Sequence, residues 1–184
     1  VSDESYLTHV GEVMPDQSPA FFESFGRAVR QVPQPWKLLV VGHEQLNRQR
    51  LSPVMARHGL EGYVEFIDHL PQARLYELIV GAAAGVLAPG PMSYWWTNHA
   101  KLVDYVGLRK PVLAVVPDPS EARSVLTRAN LGIFLDGDAE RATATLAAFL
   151  NGETPPPEPI AEECDRYLAS SQVASFVDVF ESLL

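Results

Sequence analysis

The chain has 184 residues, 47% of them hydrophobic and 20% charged, a composition that fits one globular domain with or without a tail. Its 14 basic and 23 acidic residues leave a net charge of −9 with no Lys/Arg cluster. That excludes a module held on nucleic acid by phosphate contacts and opposes docking on an anionic bilayer. Cys164 is the only cysteine, so an internal disulfide and a cysteine-based metal site are both excluded. No apolar run approaches the roughly 20 residues of a membrane span. The chain opens on Val1 with nothing resembling a signal peptide and reads as a piece cut from something longer.

In chain order, short runs rich in Val, Leu and Ile predict buried strands at 7–13, 37–41, 63–67, 84–88, 111–116 and 131–135. They alternate poorly and carry few charges, as parallel strands covered on both faces do. Between them, Ser18 and Pro19 read as an N-cap and first helical residue, ahead of a stripe of Phe21, Phe22, Phe25, Ala28, Val29 and Val32. Leu51, Val54, Met55 and His58 repeat at helical spacing and Gly59 stops them. Pro71 starts a third helix, with Leu75, Leu78 and Ile79 inward and Gly81 as its stop. A fourth begins around Thr97 or Asn98 and runs through Leu102, Val103 and Val106 to Gly107. Asp118 and Pro119 cap a fifth with Ala122, Val125, Leu126 and Ala129 inward, and Asp138 caps a sixth facing in through Ala142, Leu146, Phe149 and Leu150.

Six consecutive strand–helix units predict a doubly wound, six-stranded parallel sheet of order 3-2-1-4-5-6. The ligand crevice of such a sheet lies at the carboxyl ends of the strands, where the order reverses. Residues 1–152 form that domain. Residues 153–184 are a stiff proline-rich linker, "ETPPPEP", and two C-terminal helices at 161–169 and 172–184. The last presents Val173, Phe176, Val177, Phe180 and Leu184 on one side, a face that must fold onto the sheet layer or find another chain, a second copy included.

The loops exclude several chemistries. The first strand–helix turn, "GEVMPDQSP", lacks GxGxxG, and neither GxxxxGK[ST] nor GxSxG occurs anywhere. The fifth strand ends in "VPDP", without the lysine of a phosphoacceptor receiver domain. His9, His43, His58, His69 and His99 show no ligand-pair spacing and read as solitary. The informative stretch is 89–116. Asn98, Lys101 and Asp104 or Tyr105 share one helical face near a helix start. Free N–H groups and the helix dipole favour an anion there, and a lysine in the first turn is unfavourable unless an anion visits. A carboxylate one turn on could accept hydrogen bonds from a sugar diol. Together these describe a nucleotide-diphosphate site; the alternative is a solvated i,i+3 pair of Lys101 and Asp104.

The motifs "THVGEV", "WKLLVVGH", "GLEGYVEFIDHLPQARLYELI" and "KLVDYVGLRKPVLAVV" resemble, in order and spacing, the C-terminal donor-binding domain of family-four-type GT-B glycosyltransferases. The last is similar to the pattern KLxEYxxxxKPVLA. The resemblance covers nearly the whole chain. It implies a Rossmann-like half of a GT-B fold and the nucleotide-diphosphate-sugar-binding half of a retaining enzyme of polysaccharide assembly. It further implies a cytoplasmic enzyme, an N-terminal acceptor domain preceding this chain, and no metal or other cofactor. Residue by residue, it implies that Gly11 lets the backbone approach the donor. His43 would lie at the mouth of the second strand, and His69 and Leu70 would meet the nucleobase. Asn98 and Lys101 would hold the diphosphate, and Asp104 would take the ribose hydroxyls. No catalytic residue is named, and the chain without an acceptor domain is expected to be inert in transfer. Two positions depart from the pattern: Glu12 stands where many relatives carry arginine, and Trp96 where they carry the first of two glutamates. The rival readings are a sugar-nucleotide epimerase of the same architecture and a non-catalytic assembly module.

Overall fold

A computed structural model of the chain describes residues 5–14, 19–90, 96 and 99–181. The first unit is β1 (Ser5–Val10), α1 (Pro19–Val29), β2 (Trp36–Val41), α2 (Glu44–His58) and β3 (Val64–Ile67). The second is α3 (Gln72–Gly81), β4 (Ala84–Leu87), α4 (Ala100–Gly107), β5 (Val112–Ala114), α5 (Glu121–Arg128), β6 (Gly132–Phe134) and α6 (Ala139–Leu150). Two further helices follow, α7 (Ala161–Asp165) and α8 (Ala169–Glu181). All six strands are parallel in the order β3-β2-β1-β4-β5-β6, the α/β doubly wound topology expected.

The helices divide between the two faces. On one, Phe21, Phe22 and Phe25 of α1, Leu51 of α2 and Leu146 and Phe149 of α6 close on Leu7, Leu38, Val86 and Leu113. On the other, Ile79 of α3, Leu102, Tyr105 and Val106 of α4 and Leu126 of α5 cover Leu87, Val112 and Ala114. Cys164 of α7 is fully buried in this second layer, so α7 packs as part of it. The proline-rich 153–159 runs over the surface, tethered where the Asn130 side-chain amide donates to the Glu158 carbonyl at 2.7 Å.

Several boundaries differ from expectation. β1 ends at Val10 rather than at residue 13, because Gly11 turns the backbone into the left-handed region (φ 91°). α4 starts at Ala100, not near 97 or 98, with His99 at its N-cap. α5 is capped by Ser120, whose hydroxyl accepts from the Arg123 N–H, rather than by Asp118 and Pro119. The last two helices break at 165 and resume at 169. The apolar face expected on the last helix is not wholly covered: Val173 and Val177 of α8 are 62% and 47% exposed. Phe176, Phe180 and Leu184 lie outside the described side chains. No helix among the described residues is long and apolar enough to cross a membrane.

The "KP" of the fourth strand–helix motif has a structural task. Lys110 Nζ donates to the carbonyls of Val80 and Ala82, each at 2.7 Å, closing the C-terminal end of α3 from the turn before β5. A cation there also meets the negative end of the helix dipole. Lys110→Met should therefore cost about 1–2 kcal/mol, read as a lower urea midpoint at unchanged slope. An unchanged midpoint would mean that water replaces both bonds.

Candidate functional site

Three strand ends are tied in a row at the carboxyl edge. The Gly11 N–H donates to the Val41 carbonyl at 2.7 Å, and the Gly42 N–H to the Ile67 carbonyl at 2.9 Å. Position 42 favours glycine on two counts: a Cβ there would crowd the Gly11 backbone at 3.2 Å, and its φ is 149°. At Gly11 the requirement is conformational. A Cβ would only touch the Lys101 side chain at 3.9 Å, but φ of 91° strains any other residue. The turn after Gly11 is held by a buried side chain, Asn47 of α2. Its Oδ1 accepts from the Val13 N–H at 2.9 Å and its Nδ2 donates to the Gly11 carbonyl at 3.1 Å. Glu12, the departure from the family pattern, is met by a cation of its own: Arg50 Nη1 lies 2.8 Å from Glu12 Oε2.

Where the strand order reverses, β1 and β4 separate and leave a crevice of about 110 Å³. His9, Glu12, Leu87, Pro89, His99 and Lys101 are among its lining residues. Lys101 stands in the first turn of α4, at the positive end of that helix's dipole, with its Nζ 2.9 Å from Nε2 of His9. Burial lowers its proton affinity to a pKa of about 8. Among the described residues no carboxylate pairs with it, and its charge faces the crevice. His9 is 7% exposed; burial first, then the Lys101 charge, push its pKa down to about 3, so its ring is neutral. His99 is shifted down by the same two causes.

The helix carrying Lys101 is locked by its own next turn. Tyr105 is fully buried, and its hydroxyl donates to the Thr8 carbonyl at 3.0 Å and accepts from the Val10 N–H at 3.2 Å. Lys101 and Tyr105 thus both face β1. Asp104 turns aside: its Oδ1 accepts from the Tyr76 hydroxyl of α3 at 3.0 Å, and Tyr76 in turn accepts from Gln72 at 2.8 Å. The structure therefore separates the expected Lys101–Asp104 face into a crevice-facing cation and a carboxylate joined to α3. The solvated i,i+3 ion pair is not formed. Asn98 lies outside the described residues.

The other candidates gather at the ends of β2 and β3. His43 is the N-cap of α2, its Nδ1 accepting from the Leu46 N–H at 3.4 Å, and His69 follows β3. Their rings meet edge to face with centroids 6.2 Å apart. Asp68 accepts from the His69 N–H at 2.8 Å, and that bond holds its carboxyl below the usual range. Leu70 is partly exposed on the turn into α3. Sequence reading missed His9, Asn47 and Tyr76 as partners of the site. Only Asn47 left a sequence signal, being a polar residue one turn before Leu51 on an inward stripe.

No family model matches the chain, and the search of curated proteins gave no match. Solved structures do match it. WaaG, a glycosyltransferase involved in lipopolysaccharide biosynthesis, superposes with a TM-score of 0.63 at 17% identity over 91% of this chain and 43% of its own. Anabaena Alr3699/HepE, solved with UDP and glucose, gives 0.65 at 16% over 98% and 48%. A Listeria monocytogenes protein assigned provisionally as a UDP-N-acetylglucosamine 2-epimerase gives 0.54 at 15% over 90% and 39%. Each likeness is one of fold, the Rossmann-like half of a GT-B architecture, and the chain spans about half the length of the first two structures.

Proposed function

We propose, from a chain folded as one half of a GT-B architecture, that it binds the nucleotide-diphosphate-sugar donor of a retaining glycosyltransferase of polysaccharide assembly. The observation that carries this reading is the Lys101 ammonium, placed in the first turn of α4 at the β1–β4 switch point without a carboxylate partner among the described residues. A buried cation at a helix N-terminus is suited to a diphosphate, whose charge it would offset as the sugar leaves. In this reading the base lies toward His43, His69 and Leu70, and the phosphates lie over Gly11 and Lys101. Asn98 would join Lys101 on the diphosphate, and Asp104 would reach the ribose. No metal is needed, so binding should survive EDTA. An acceptor domain and a cytoplasmic setting complete the proposal.

The test is calorimetric titration of residues 1–184 with UDP, GDP and ADP sugars. Lys101→Ala should weaken the best of them by about 1.5–3 kcal/mol, or roughly 10- to 150-fold. Equal affinity of wild type and Lys101→Ala for every nucleotide would sink the site assignment. The likeness to the Listeria protein favours one second reading, a sugar-nucleotide epimerase of the same architecture. Conversion of a bound sugar nucleotide without an acceptor would select it.

A further inference from the structure

His9, next to last in β1, is buried under the crevice, and the donor reading gives it no task. Two basic groups 2.9 Å apart coexist when one of them is neutral. An ammonium has donors and no acceptor, so Lys101 donates and the imidazole Nε2 accepts. The proton of the ring then sits on Nδ1. The Glu12 carbonyl lies 3.2 Å from the same Nε2; a carbonyl only accepts, so in this tautomer it makes no hydrogen bond to the ring. A carboxylate in place of His9 would hold the lysine equally well but would cancel its charge and compete with an anion. A neutral acceptor fixes the direction of the ammonium and leaves its charge uncompensated.

We propose that His9 is a positioning residue for anion binding: its neutral ring orients the Lys101 ammonium so that the full charge meets a phosphate group entering the β1–β4 crevice. The phosphate half of this statement rests on the nucleotide-sugar reading. Among the described residues, the titratable and charged groups around the pair are Glu12, already bound to Arg50 of α2, and His99 and Asp104 on the lysine's own segment. Burial is what lowers the lysine's proton affinity, and the histidine acceptor opposes it by favouring the charged form.

The experiment follows the Lys101 side-chain Cε resonance by NMR against pH in residues 1–184 without ligand, for wild type, His9→Leu and His9→Gln. The wild-type midpoint is expected near pH 8. Loss of the acceptor in His9→Leu should move it down by at least about half a unit, and His9→Gln, whose amide oxygen can accept, should restore it. In parallel, affinity for the best-binding of UDP, GDP and ADP should fall about 5- to 30-fold in His9→Leu and recover to within about threefold in His9→Gln. It should also fall in wild type as pH rises through the lysine midpoint, because the neutral amine no longer attracts phosphate. Should His9→Leu not fold, His9→Asn takes its place, being polar but too short to reach Lys101. An unchanged midpoint in the variant lacking the acceptor overturns the proposal. Absence of any nucleotide binding by wild type overturns the donor reading instead, while the midpoints still decide whether His9 holds Lys101.

Discussion

Tyr105→Phe should destabilise the chain by about 2–4 kcal/mol, although it deletes one oxygen from a ring that otherwise stays in place. β1 pairs with β2 along its whole length but with β4 only at Leu7 and Thr8. Beyond Thr8 the two strands part, and that opening makes the crevice. At the point of parting the Tyr105 hydroxyl takes up the β1 backbone, donating to the Thr8 carbonyl and accepting from the Val10 N–H. The ring reaches them because residue 85 is glycine: a Cβ there would lie 2.8 Å from three of its carbons. Phenylalanine would remove both bonds, and a buried backbone group that loses its partner costs about 1–3 kcal/mol. For a chain of this size the melting temperature should fall by about 4–16 °C. A drop under about 2 °C would show that water or a backbone shift satisfies both groups.

Asn47→Ala is the second large effect, again about 2–4 kcal/mol, since it removes two bonds, one buried and one part-buried, that hold the turn at Gly11–Val13. It should also weaken nucleotide binding, because that turn forms one wall of the crevice. The comparison with Asn47→Asp separates the two bonds. An aspartate keeps the acceptor for the Val13 N–H but sets a carboxylate oxygen against the Gly11 carbonyl, now 3.1 Å from the amide nitrogen. The new carboxyl is then better protonated in the folded state than in the unfolded one. With the folded pKa raised, the loss relative to wild type should be small near pH 4 and grow as pH rises through that raised value. Urea melts of both variants at pH 4 and pH 7 check this; a loss that shrinks with rising pH would mean that the side chain is not clamped as described.

The sheet was legible from sequence because its determinants are local and periodic. Apolar runs of strand length, spaced by stripes such as Phe21, Phe22, Phe25 and Ala28, leave few alternatives to parallel βα units. The strand order and the crevice at its reversal follow from connection rules that hold for nearly every such sheet. Lys101 was legible too, since a lysine in the first turn of a helix opposes the dipole and needs a reason to be there. Asp104 was placed beside it by helical spacing, and the structure turned it to Tyr76. Spacing gives the angle around one helix axis but not what stands opposite each position.

The partners that make the site were beyond sequence reading for the same reason. His9 and Lys101 are 92 positions apart, Thr8 and Tyr105 are 97 apart, and Gly11 and Asn47 are 36 apart. No period within a helix or strand relates such pairs. Residue chemistry and local period thus determined the βα units, the glycine turn at Gly11 and the unusual placing of Lys101. Only the tertiary structure decided which neutral group faces that lysine, which hydroxyl fills the gap between β1 and β4, and which amide clamps the turn. Those contacts exist only once the helices have packed on the sheet, and the strand separation that demands them belongs to no single segment.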